Sequence, residues 1–75
     1  MAHLTRINIT HEGRGPHPWE YSHTETWKAD GEITDADIET LRKNQYGSFP
    51  VVHVSFEIDR DLNLIIAHVV EDNCN

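Results

Sequence analysis

Two histidines, His53 and His68, are the first residues in this chain whose type and spacing could do chemistry. Val52, Val54, Phe56 and Ile58 alternate with His53, Ser55, Glu57 and Asp59. After a polar turn, Leu62, Leu64, Ile66, His68 and Val70 alternate with Ile65, Ala67 and Val69. Period-two alternation of this length marks the strands of a β-hairpin that buries one face more than the other. A two-residue turn at Arg60-Asp61 sets His53 directly opposite His68. A loop from Arg60 to Asn63, with Asn63 in the left-handed conformation it tolerates, sets His68 opposite Ser55 and diagonal to His53. Either register keeps the imidazoles within reach of each other. Two imidazoles are half of a zinc or nickel site, and Glu57 on the same face is a third donor. A tolerated surface pair is the commoner outcome, so no metal or cofactor is expected and His53 and His68 stand as weak metal candidates.

The remaining chemistry-bearing residues carry less. His11, His17 and His23 are spaced by six, which matches no zinc-site spacing, and they read as solvated loop histidines; His3 adds nothing specific. Ser55, His68 and Glu57 form the one nucleophile, base and acid grouping, but a flat hairpin offers it no pocket. Ser22 and Ser48 lack a glycine elbow, and Gly13-Arg14-Gly15 matches neither phosphate-loop pattern. Cys74, the single cysteine, cannot form an intramolecular disulfide, which points to a reducing compartment. No enzyme is expected.

These side chains must be positioned by a small set of elements. Residues 1–10 read as a strand with Leu4 on one face and Thr5, Ile7 and Ile9 on the other. His11 to Pro18 holds two glycines and two prolines in eight residues and reads as a loop. Trp19 to Lys28 alternates again, with Trp19, Tyr21, His23, Glu25 and Trp27 on one face. Thr34 and Asp37 have the spacing of a capping box, Ile33 and Ile38 that of a hydrophobic staple, and Gly47 with Pro50 ends the helix between. Ala36, Ile38, Leu41 and Gln45 give that helix only a thin apolar stripe, so it must be held by docking on a sheet. The expectation is one α+β domain over residues 1–75: a two-layer ββαββ unit, its antiparallel sheet carrying one helix on one face. The helix should cover Val52, Val54, Phe56, Ile58, Ile65, Ala67 and Val69.

Thirteen acidic against six basic side chains give a net charge of −7. That argues against direct binding to nucleic acid or an anionic membrane. No stretch has the length of a signal peptide's apolar core or of a membrane span, so a cytoplasmic, soluble protein is expected. What remains is surface. Trp19, Tyr21, Leu64 and Ile66 supply apolar area beyond what one thin helix covers, and such area on a small protein marks an interface. Asp30, Glu32, Asp35 and Asp37 lie in a run of five carboxylates that also includes Glu39, and would steer a partner. The expected function is a small non-enzymatic protein-binding module, an inhibitor or regulator that docks on another protein, with a homodimer through the second sheet face as a further expectation. In general style, though in no motif, it resembles the small acidic regulators of phages and mobile elements. The alternatives are an acidic mimic of nucleic acid that blocks a DNA- or RNA-binding enzyme, and transition-metal binding through histidine.

Overall fold

The computed structural model describes residues 3–14 and 19–72. In chain order they form β1 (Leu4–Arg14), β2 (Glu20–Ala29), α1 (Asp35–Tyr46), β3 (Val51–Asp59) and β4 (Leu64–Asp72). The strands make one open sheet in the order β1-β2-β4-β3, with every neighbouring pair antiparallel. Strands β2 and β3 therefore run parallel with β4 between them, and α1 is the crossover that parallel strands require. This is the expected α+β ββαββ architecture, one helix over one sheet face.

The core follows the sheet's rows. Trp27 opposes Ile65, which opposes Ile58; Glu25 opposes Ala67, which opposes Phe56; His23 opposes Val69, which opposes Val54. Central strand β4 is the most enclosed, with Ile65, Ala67 and Val69 at 0–1% exposure. Ala29, Ile33, Leu41 and Tyr46 complete the buried cluster, and Leu4, Ile38, Val51, Val54, Phe56 and Ile58 pack on it while partly open.

The helix begins as the spacing predicts. Asp37 N–H donates to Thr34 Oγ1 at 3.3 Å, and Thr34 N–H donates to Asp37 Oδ2 at 2.9 Å. This reciprocal pair satisfies donors that have no intrahelical partner. The apolar stripe differs from expectation. Ala36 and Gln45 are exposed, and Tyr46, not assigned to the stripe, is a buried anchor with Leu41. Gly47 closes the helix with φ −86°, outside the left-handed region. Glycine is needed there for space, since a Cβ would stand 2.6 Å from the Lys43 carbonyl oxygen.

Bulges account for the strand corrections. Strand β1 runs on through Arg14, past the expected loop start at His11, with Gly13 at φ 114° beside a register shift. A second shift between Arg6 and Asn8 adds a residue at Ile7, so Ile9 opposes Glu25 and returns to the face of Leu4 and Arg6. In β3 the shift between Val51 and His53 leaves Val52, expected under the helix, half exposed. The β3–β4 connection takes the longer loop: Asp59 opposes Leu64, Ser55 opposes His68, and Asn63 sits at φ 57°. Asp59 Oδ1 accepts from the Asp61 and Leu62 N–H groups, each at 3.1 Å, which closes that loop locally. Among the described residues no helix is long and apolar enough to cross a membrane.

Candidate functional site

Element lengths decide which surfaces stay open. A helix of 12 residues spans about 18 Å, whereas the 10 residues of β2 span about 33 Å. Helix α1 therefore covers the sheet near Ala29, Trp27, Ile65 and Phe56 and stops before Tyr21. The row Tyr21, Glu71, Val51 crosses three strands at the end beyond the helix, where only its β3 side meets the last turn, Arg42, Tyr46 and Gly47 lining a hollow with Val51, Val52 and Val54. At that end lie Trp19 and Tyr21, each 46% exposed, with Val52 from the start of β3 and Phe49 from the segment between α1 and β3, Phe49 being the most exposed large apolar side chain among the described residues at 73%. Phe49 and Val52 escape sequence reasoning because their positions depend on a connection and a bulge that alternation does not register.

The other two expected contact residues lie elsewhere. Leu64 opposes Lys28 and Asp59, and Ile66 opposes Thr26 and Glu57, on the sheet face that carries no helix. Both are half-buried among these longer or branched neighbours. Tyr21 lies on the helix-bearing face, so the four apolar residues form two separate surfaces.

From under the helix toward the Tyr21 end runs a chain of polar side chains whose partners the alternation alone does not show. Trp27 Nε1–H donates to Tyr46 Oη at 2.8 Å, and Tyr46 O–H donates to Glu25 Oε1 at 3.0 Å. Arg6 Nη1 reaches the same oxygen at 3.2 Å, with its guanidinium 5.7 Å from the Trp27 ring. His23 places Nε2 2.6 Å from Glu25 Oε2 and Nδ1 3.1 Å from Glu71 Oε1. His23 is 7% exposed within β2, a correction to its expected place in a solvated loop. Burial alone pushes the Glu25 carboxyl up, but the hydrogen bonds from His23, Tyr46 and Arg6 outweigh it and hold it below its ordinary value. Burial holds the Tyr46 phenol well above its usual range, so it remains a donor. The signal was present: alternation placed two ionisable residues, His23 and Glu25, on the face of Trp27, where each needs a partner.

The carboxylates expected to steer a partner lie at the opposite end, although Glu20, Glu71 and Asp72 stand at the Tyr21 end. Asn63 Nδ2 donates to the carbonyl oxygens of Ala29 at 2.9 Å and Gly31 at 2.8 Å, and Arg60 Nη1 to that of Ile33 at 3.3 Å. These bonds tie the β3–β4 loop, with Asp59 and Asp61, to the segment holding Asp30, Glu32 and Asp35. Asp30, Glu32 and Asp35 are exposed, and Asp30 Oδ1 accepts the His3 N–H at 2.6 Å. Asp37, expected to steer a partner, is 1% exposed with its carboxylate spent on the helix cap. Glu39 pairs with Arg42.

The histidine pair occupies the open face diagonally, His53 opposite Val70 and His68 opposite Ser55. His68 Nε2 stands 3.4 Å from Glu57 Oε1, so the nucleophile, base and acid grouping is brought together on a flat, exposed surface. Among the described residues no group of three or more His, Cys, Asp or Glu side chains is placed to hold a metal ion. His17 and Cys74 lie outside the described residues. Compared with known proteins, the chain matches no family model, no curated sequence and no solved structure.

Proposed function

We propose that this chain is a small acidic, non-enzymatic protein-binding module, an inhibitor or regulator that docks on another protein through the end carrying Trp19, Tyr21, Phe49 and Val52. The observation that supports this reading most is the exposure of those large side chains at the end of the sheet where the row Tyr21, Glu71, Val51 crosses three strands. Tyrosine and tryptophan are typical anchors, because they contribute large area with few rotors to immobilise. The net charge of −7 favours a partner with a basic rim, which speeds encounter more than it tightens the complex. Affinity capture with the wild-type chain, a Trp19→Ala/Tyr21→Ala variant and a Leu64→Asp/Ile66→Asp variant tests it. A partner lost with the first variant and kept by the second is the expected result. A partner lost only with the second would move the contact to the helix-free sheet face and overturn this assignment.

A second reading rests on the acidic end, where the Asn63 bonds hold two acidic segments side by side. In that reading Asp30, Glu32, Asp35, Asp59 and Asp61 imitate a run of phosphates and occupy the basic groove of a nucleic-acid enzyme. Binding would then weaken steeply between about 50 and 200 mM salt, as contacts to phosphate do. Salt-insensitive capture would eliminate this reading and leave the apolar end.

A further inference from the structure

The sheet has two edges, and they are not equally closed. Strand β1 carries register shifts at two places and turns the charged Arg6 toward the helix side. Bulges and inward charges are how edge strands are kept from pairing with other chains. Strand β3 has its one shift before His53, and from His53 to Asp59 it pairs regularly with β4 while its outer edge meets no strand among the described residues. Its helix-side residues, Val54, Phe56 and Ile58, remain partly open, whereas their β4 neighbours Val69, Ala67 and Ile65 are closed.

We propose that two copies of the chain join through their β3 edges, antiparallel and with Phe56 on the two-fold axis. The sequence of the edge is complementary to itself in that register. Pairing about Phe56 sets Val54 opposite Ile58 of the second copy and Phe56 opposite Phe56, so the half-open apolar row is covered by the same row. On the other face it sets His53 opposite Asp59 and Ser55 opposite Glu57, a donor-bearing side chain against a carboxylate at each of four places. All seven regular residues are used, and the two sheets become one of eight strands. An isologous contact of this kind closes at two copies. The contact begins at His53, next to Val52 of the apolar end, but its axis lies at Phe56 and it does not require that end to bind a partner.

Sedimentation equilibrium of the full chain at neutral pH, over about a hundredfold range of concentration, reads the association directly. The wild type should move from one chain to two. Ser55→Glu, at an exposed position, sets like charges opposite each other twice by symmetry and should weaken dimerisation roughly tenfold or more. Adding Glu57→Lys to that variant restores opposite charges across the axis and should restore the dimer. A wild type that stays a single chain, a dimer indifferent to Ser55→Glu, or a double variant that fails to recover would each overturn the proposal. Recovery in the double variant is an outcome that a general loss of stability cannot imitate.

Discussion

Glu25 takes hydrogen bonds from His23, Tyr46 and Arg6 on a largely apolar face. A buried carboxylate costs stability unless its acceptor positions are used, and here three donors from two strands and the helix use them. Tyr46→Phe keeps the ring's packing, including its 5.9 Å contact with Phe56, but removes the hydroxyl. It leaves the Trp27 N–H unpaired and Glu25 one donor short, which should cost about 1–3 kcal/mol, read as a lower urea midpoint at unchanged slope. The pH dependence follows from the sign of the Glu25 shift. Its carboxyl is held below the ordinary value of 4.5 in the folded chain, so the folded state binds this proton less readily than the unfolded one. The resulting stability is present above that ordinary value and is lost as pH falls through the lower folded value. Thermal unfolding of the wild type should therefore show a steeper acid limb than that of Glu25→Gln, which cannot titrate there.

Among the elements, α1 depends most on its ends. Its apolar contacts are few, so the Thr34–Asp37 box at one end and the fit of Gly47 at the other carry much of its definition. Thr34→Ala should destabilise the chain by about 1 kcal/mol through loss of the cap. Gly47→Ala forces a methyl against the Lys43 carbonyl and should cost about 1–3 kcal/mol, the range for overpacking a tight site. Both are read by chemical denaturation. The β3–β4 loop shows how one side chain can do two jobs: Asn63 takes a left-handed backbone and also bonds to Ala29 and Gly31 across the fold. Asn63→Gly, which keeps only the first, should still lose about 1–2 kcal/mol by the same measurement.

At the scale of the molecule the governing fact is elongation. The Cα radius of gyration is 12.7 Å, against about 11 Å for a compact domain of this length, and the extents are 39 × 20 × 16 Å. Strands longer than the helix produce that shape and separate the apolar end from the acidic one by about 26 Å, the rise between Tyr21 and Ala29. In the proposed binding module, steering and anchoring would fall to different ends, and substitutions should separate them. Replacing Trp19 and Tyr21 by serine should lower the unfolding free energy by about 1 kcal/mol per residue and leave the chain folded, since each is 46% exposed. The same change should abolish partner capture. Replacing Asp30, Glu32 and Asp35 by the corresponding amides should alter the association rate and its salt dependence with little change in dissociation, measured by surface plasmon resonance.

The local rules were legible in the amino-acid order because each depends on neighbours a few residues apart. Alternation marked β2, β3 and β4, the Thr34–Asp37 spacing marked the helix start, and Asn63 offered the left-handed residue on which the longer hairpin register depends. The face shared by His23, Glu25 and Trp27 was also legible, although not what those polar groups would bond to. Tertiary structure alone decided that Tyr46, from a helix 21 residues downstream, would reach Glu25. It also decided that bulges at Ile7 and Val52 would change which side chains faced the helix, and that the acidic loops would be tied together. The physical reason is the same throughout. Hydrogen-bond closure and chain length set elements locally, whereas partners for buried polar groups and the limits of coverage depend on how a helix of about 18 Å is laid across strands of about 33 Å.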